Sequence, residues 1–136
     1  MNRLAGRIAA VEVAGSIALV DVAVGARRFT ATLIGASDEV AAWHEAMPVT
    51  LLFKETEVSL ARHLSGLISM RNRLPGRVTA IERGRLLTRV CFEVDASPIA
   101  AVITTRSCDM LQLAVGVEVE GLVKANEMSI STVPHA

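Results

Sequence analysis

The sequence predicts an all-β protein made of two tandem OB-like barrels, each with five strands and one short helix. Three observations lead to this fold class. The chain repeats itself at a spacing of 70 residues, and each copy holds five short segments in which apolar and polar residues alternate, at least in part. A helical segment separates the third and fourth of these segments, which is the order of elements in an OB-type barrel.

The repeat runs without a gap over nearly the whole chain. "MNRLAGRI" opens the sequence and returns as "MRNRLPGRV", so that Asn2 aligns with Asn72, and "KETEVSL" aligns with "KANEMSI" near the end of each copy. Chance does not produce so long an ungapped match. The sequence therefore predicts a first module at residues 1–61, a linker at 62–68 and a second module at 69–136.

The elements follow the same order in both copies. In the first copy the predicted strands are "GRIAAVEV", "SIALVDVAV", "RRFTATLI", "VTLLFK" and "EVSLA"; in the second they are "GRVTAIER", "LLTRVCFEV", "PIAAVI", "VEVEGLVK" and "EMSI". The predicted helices are "SDEVAAWHEAM", with Ser37 as N-cap and Pro48 after its end, and "SCDMLQLAVG", with Ser107 as N-cap and Gly116 near its end.

The composition limits the partners of the protein. The chain has 14 Lys and Arg against 14 Asp and Glu, so it lacks the excess positive charge of a non-specific nucleic-acid binder. Its three Phe and one Trp fall on apolar positions that favour a core role over base stacking. No signal peptide and no apolar run of about 18 residues is present, so we expect a cytoplasmic protein without membrane insertion.

The sequence gives little support to catalysis. No phosphate-binding G-x-x-x-x-G-K loop occurs, and the three histidines lie on a helix, in the linker and at the tail without a serine or cysteine beside them. The two cysteines match no metal-ligand spacing and are too few for a disulfide framework. We therefore expect a binding protein and no enzyme.

Two segments offer hydrogen-bond donors without nearby acceptors. One is the turn at 69–72, which carries a hydroxyl and a guanidinium, and the other is 104–107, which leads into a helix N-terminus. Free N–H groups at such a terminus bind oxyanions, and Lys124 adds a positive charge. From spacing alone, Ser107 serves equally well as a simple cap and Lys124 as a solvated side chain.

The motif "SMRNRLPGRV", followed about 50 residues later by "VKANEMSI", resembles the hallmark of the molybdate-binding Mop modules, or molbindins. The resemblance covers both copies. It implies OB-like barrels that assemble into a homo-oligomer, a trimer being favoured over a dimer, with molybdate or tungstate held at subunit interfaces. Carried over position by position, it gives as oxyanion-binding residues Ser69, Met70, Arg71, Asn72, Thr104, Thr105, Ser107, Lys124, Ala125 and Lys54.

The first copy departs from this hallmark. It begins inside the motif, it has Ile34 and Gly35 where the second copy has two threonines, and Glu55 follows its lysine in place of alanine. We therefore expect the first copy to contribute more scaffold than ligand contact, although Lys54 is retained.

The family resemblance implies storage or homeostasis of the oxyanion. Two other functions are kept open: an anion-sensing module of a molybdate-responsive regulator or importer ATPase, and an OB-type binder of single-stranded nucleic acid. The chemistry of an all-donor site suits molybdate, which carries no proton at neutral pH, better than phosphate, which does.

Overall fold

The computed structural model describes residues 1–35 and 37–132, although nothing is described of the Ser37 side chain. The longest helix in this part of the chain has six residues, far too few to cross a bilayer. The strands are β1 (Asn2–Ala14), β2 (Ile17–Val24), β3 (Arg27–Ile34), β4 (Pro48–Phe53), β5 (Ser59–Ala61), β6 (Asn72–Arg83), β7 (Leu87–Val94), β8 (Ser97–Thr104), β9 (Glu118–Val123) and β10 (Ser129–Ser131). The helices are α1 (Ser37–Val40) and α2 (Thr105–Met110), and two 3₁₀ turns span Glu55–Glu57 and Ala125–Glu127.

The strands form two five-stranded sheets with the same internal order. The first sheet runs β10-β4-β1-β2-β3, and the second runs β5-β9-β6-β7-β8. All the neighbouring pairs whose register is described are antiparallel. The predicted all-β fold class, with one short helix in each copy, is confirmed.

The fifth strand of each sheet comes from the other repeat. Ser59 of β5 lies opposite Leu122 of β9, and Ser129 of β10 lies opposite Leu52 of β4. Within the described residues, the compact units are accordingly Met1 and Arg3–Phe53 with the segment 124–132, and Lys54–Val123 with Asn2. They differ from the sequence repeats at the ends, because each repeat gives its last segment to the other unit.

Alternation along the strands builds a separate core in each unit. In β2, Val20 and Val22 are buried while Ile17 and Leu19 face outward, which is the period-two pattern of a strand with one covered face. The aromatic side chains that were predicted to be core are buried at Phe29, Phe53 and Phe92, whereas Trp43 is only half-buried.

Both helices are shorter than predicted, and the N-cap of α2 is different. The helix starts at Thr105, and the hydroxyl of Thr104 accepts the backbone N–H of Ser107, so Thr104 is the N-cap and the prediction of Ser107 was wrong. The helix ends early because Gln112 adopts a left-handed conformation, with φ of 53°. The α1 helix ends at Val40, well before Pro48, and the predicted cap by Ser37 lies outside the described side chains.

A glycine in the first strand of each repeat permits a close strand crossing. A Cβ atom at Gly6 would lie 2.5 Å from the carbonyl oxygen of Ala23, and one at Gly76 would lie even closer to that of Glu93. Each glycine precedes a register shift, between Ile8 and Ala10 in the first sheet and at the equivalent place in the second. The bend of these long strands therefore requires glycine.

We expect Gly76→Ala to lower the free energy of unfolding by about 2–3 kcal/mol, since the added methyl group meets backbone that cannot move aside. Urea denaturation followed by circular dichroism measures this loss. Thr79→Ala, at an exposed position on the same strand where it removes only a long hydrogen bond of 3.3 Å to the carbonyl oxygen of Cys91, serves as the control and should change stability by less than about 1 kcal/mol. Equal effects of the two substitutions would contradict the role assigned to Gly76.

Candidate anion-binding site

The segment before β6 presents polar groups to solvent. Ser69 and Arg71 are exposed, Met70 is half-buried, and no helix or strand lies between β5 and Asn72 in the described chain. Among the described residues, Arg71 forms no ion pair, unlike several other arginines of the chain. Its guanidinium thus keeps five donors available for a ligand.

The asparagines of the repeated motif are buried. Asn72 is fully buried at the start of β6, opposite Val123. Its repeat equivalent, Asn2, donates from Nδ2 to the carbonyl oxygen of Ala100 at 2.8 Å and accepts the N–H of Ala100 on Oδ1 at 2.9 Å. This paired contact satisfies the amide of Asn2 within the protein, so the motif asparagine has a structural use that the sequence reasoning missed.

The start of α2 brings two predicted residues into direct contact. Thr104 accepts the N–H of Ser107 at 3.1 Å and donates its hydroxyl proton to Ser107 Oγ at 2.8 Å. The hydroxyl proton of Ser107 therefore remains available. Thr105 is buried, and its hydroxyl donates to the carbonyl oxygen of Gly84 at 2.9 Å and lies 2.8 Å from the hydroxyl of Thr88. That side chain anchors the helix to the preceding hairpin.

The two repeat-equivalent lysines occupy matching backbone positions. Lys54 and Lys124 are exposed, and each precedes a 3₁₀ turn with φ near −70° and ψ near 145°. Neither forms an ion pair among the described residues. Lys54 belongs to the unit that also holds 69–72 and 104–107, whereas Lys124 and the half-buried Ala125 belong to the other unit.

Glu55 follows Lys54 where the second copy has alanine, and the structure pairs its negative charge with an arginine. Its carboxylate accepts hydrogen bonds from Arg89 Nε at 2.7 Å and Arg89 Nη2 at 3.3 Å. The hydrogen bond with Arg89 holds the pKa of Glu55 below its ordinary value. The sequence did carry a signal for this pair, because shifting by 70 residues replaces Glu55 with Ala125 and Arg89 with Leu19 together.

Other arginines of the described chain form ion pairs with carboxylates outside the candidate site. Arg73 pairs with Glu120 and Arg77 with Glu118, both between β6 and β9, and Arg83 makes two contacts with Asp109. The hydrogen bond from Arg83 lowers the pKa of Asp109. Lys54, Arg71 and Lys124, which belong to the predicted oxyanion set, have no counter-ion among the described residues, and the same is true of Arg85 and Arg106 outside that set.

Comparison with known proteins gives a consistent family assignment. A family model described as the TOBE domain matches residues 68–130. The molybdenum import ATP-binding protein ModC of Brucella abortus (strain 2308) is 42% identical over 82 residues, which is 60% of this chain but 23% of ModC, so the chain spans less than a quarter of that relative.

Two solved structures are also similar. The cytoplasmic molybdate-binding protein ModG, crystallised with molybdate, matches 98% of this chain and 96% of its own with a TM-score of 0.90 and 24% identity, which supports the fold. A molybdate-binding protein from Sporomusa ovata is 34% identical, with 96% of that protein and 47% of this chain covered and a TM-score of 0.46.

The pairing of Glu55 and Arg89 leads to a pH-dependent prediction. A carboxylate whose pKa is lower in the folded than in the unfolded state stabilises the fold. The stabilisation is complete above the unfolded-state pKa and is lost as the pH falls through the folded-state pKa. We expect Glu55→Gln to reduce the free energy of unfolding by about 0.5–1 kcal/mol near neutral pH. This deficit should disappear in acid, below the lowered pKa of Glu55.

Urea titrations at a series of pH values measure this deficit. The control is the same substitution in an Arg89→Leu background, where the pH dependence of the difference should be largely removed. A deficit that persists unchanged in acid, or that is the same in both backgrounds, would show that Arg89 does not stabilise the Glu55 carboxylate.

Proposed function

We propose that this chain, which belongs to the TOBE-domain family of Mop-type modules, binds molybdate or tungstate for storage or homeostasis of the oxyanion. The role is one of binding without catalysis, in the cytoplasm. The ligand lies at interfaces between copies of the chain, in a homo-oligomer for which a trimer is favoured. The observation that carries the proposal is the family match over residues 68–130, a range that holds Arg71, Ser107 and Lys124. Arg71, Lys124 and Lys54 also form no ion pair among the described residues.

The donor chemistry supports a proton-free dianion. Arg71 and Lys124 offer only donors, and the free hydroxyl proton of Ser107 adds another. Molybdate at neutral pH has only acceptor oxygens, so every contact with such a set is a favourable charge-assisted hydrogen bond. Phosphate retains a proton that requires an acceptor, and the only acceptors in this set are serine hydroxyl oxygens, so the set favours molybdate over phosphate.

The contributions of the two repeats are unequal. The second repeat has Thr104 and Thr105 where the first has Ile34 and Gly35, and it has an intact Ser-Met-Arg-Asn segment. Since Thr105 and the asparagines are held by internal contacts, the ligand contacts are assigned to Ser69, Arg71, Ser107 and the lysines. Met70, Asn72, Thr104, Thr105 and Ala125 shape the backbone around them.

The outer face of the first sheet supports assembly. Ile17, Leu19 and Ile34 are exposed on adjacent strands, with Ile17 directly opposite Ile34, and Ile34 is 76% exposed. A run of exposed apolar side chains on one sheet face is typical of a surface that is covered in an oligomer. This supports contacts between copies but not a particular number of copies.

The match to ModC favours a second candidate function, an anion-sensing module. The aligned part of ModC is less than a quarter of that protein, so a module of this type also occurs as a small part of a larger transporter subunit. A store retains its anion through desalting, whereas a sensing module exchanges it quickly. Measuring the molybdenum that remains bound after gel filtration separates the two functions.

Titration of the assembled protein with molybdate in a calorimeter tests the main proposal. We expect Lys124→Ala and Arg71→Ala each to weaken binding by about tenfold to a hundredfold, the value of one charge-assisted hydrogen bond to a buried anion. Arg28→Ala removes an exposed arginine outside the predicted set, in the unit that does not hold Arg71, and it should leave affinity unchanged. No heat from the unaltered oligomer, or full affinity in both variants, would overturn the proposal.

A further inference from the structure

We propose that the Glu55–Arg89 ion pair, together with the buried side chains Val58 and Met128, directs the last segment of each repeat to the sheet of the other repeat. We call residues 54–61 and 124–131 the exchanged segments. This inference concerns how the chain chooses its strand partners, and it does not depend on the bound anion.

The charge pair distinguishes the two receiving sheets. Glu55, on the first exchanged segment, meets Arg89 on β7 with two hydrogen bonds of 2.7 and 3.3 Å. At the equivalent positions of the other unit, the segment carries Ala125 and the sheet carries Leu19. Each segment thus has a side chain that matches the sheet on which it lies.

The reverse arrangement would lose this match. If residues 54–61 returned to the sheet of their own repeat, Glu55 would face the position of Leu19, and Arg89 would face Ala125. Arg89 would keep a contact with Glu82, now at 3.4 Å. The Glu55 carboxylate, which is only 22% exposed where it now lies, would lose both hydrogen bonds from Arg89, so the larger cost falls on Glu55.

The size of one buried side chain gives a second, independent difference. Val58 and Met128 are equivalent in the repeat, and each is 98% buried. The cavities that they fill are therefore sized for different side chains. In the reverse arrangement, methionine would enter the space of valine and overpack it, while valine would leave a void in the space of methionine.

The two sheets that receive these segments also differ in side-chain size at neighbouring positions. In the second unit Phe92 fills the space above Gly121, with the ring 2.9 Å from the place of a Cβ atom. The equivalent residues of the first unit are Val22 and Leu51, both fully buried. The two cores thus distribute their volume differently next to the exchanged segments.

Cysteine pairs in the full chain report which arrangement forms. Ala61 lies opposite Glu120 in the observed register, and without exchange it would face Thr50. In a background with Cys91→Ala and Cys108→Ala, we expect Ala61→Cys with Glu120→Cys to form an intrachain disulfide on oxidation, and Ala61→Cys with Thr50→Cys to form little. Peptide mass analysis of single chains isolated under denaturing conditions measures both bridges.

Exchanging the determinants should redirect the segments. We expect the ratio of the 61–120 bridge to the 61–50 bridge to fall at least about tenfold when each segment receives the side chains of the other. An unchanged ratio would overturn the proposal and assign the choice to the linker. The four substitutions are Glu55→Ala, Val58→Met, Ala125→Glu and Met128→Val.

A matched rescue variant isolates the charge contribution. Glu55→Ala with Ala125→Glu should lower the bridge ratio. Adding Leu19→Arg and Arg89→Leu moves the arginine as well, so the ratio should return towards the parent value. Failure of this rescue, in a chain that folds, would show that the ion pair does not direct the exchange.

Double-mutant analysis keeps the proposal testable if the multiple variants do not fold. Glu55→Ala and Arg89→Leu, alone and together in the full chain, should show a coupling of about threefold to tenfold in the unfolding equilibrium constant. Strictly additive effects would mean that the pair supplies no preference, and would contradict its part in the inference.

Discussion

The antiparallel pairing of β5 with β9, and of β10 with β4, is the contact on which the rest of this structure depends. Each sheet is completed by a three-residue strand from the other repeat, joined through consecutive backbone positions. Without it, β4 and β9 would each expose an unpaired edge. The exchange also fixes where Lys54 and Lys124 lie, since each lysine begins the segment that crosses. The same strand exchange therefore completes both sheets and positions two lysines of the candidate site.

The fold class could be predicted because the repeat and the strand alternation can both be read from the sequence without knowing any contact in the fold. The repeat is visible in residue identity, and strand alternation is visible within each short segment, as in β2. The origin of the fifth strands could not be predicted this way, since β5 and β10 have nearly the same pattern and fit either edge by register alone. The two segments differ at single positions, such as Glu55 in one and Ala125 in the other. The effect of such a difference on strand pairing depends on the residue that it contacts in the sheet.

The candidate site was predicted unevenly for a similar reason. Arg71 and Lys124 were expected to be available hydrogen-bond donors, and among the described residues neither has a counter-ion. Thr105 also looked like a free donor, but its hydroxyl bonds to Gly84 across 21 residues of sequence. A side chain that is already satisfied cannot be told from an available one until its distant neighbours are known.

The covalent link between the two repeats has a consequence for the concentration dependence of this exchange. Two separate single-repeat chains would have to collide before either could complete its sheet in the exchanged form, so that form would weaken on dilution. Joining them through residues 62–71 makes the second encounter intramolecular, at an effective concentration that a short tether places in the millimolar range. Each sheet is thus completed at any abundance of the protein, before copies of the chain meet.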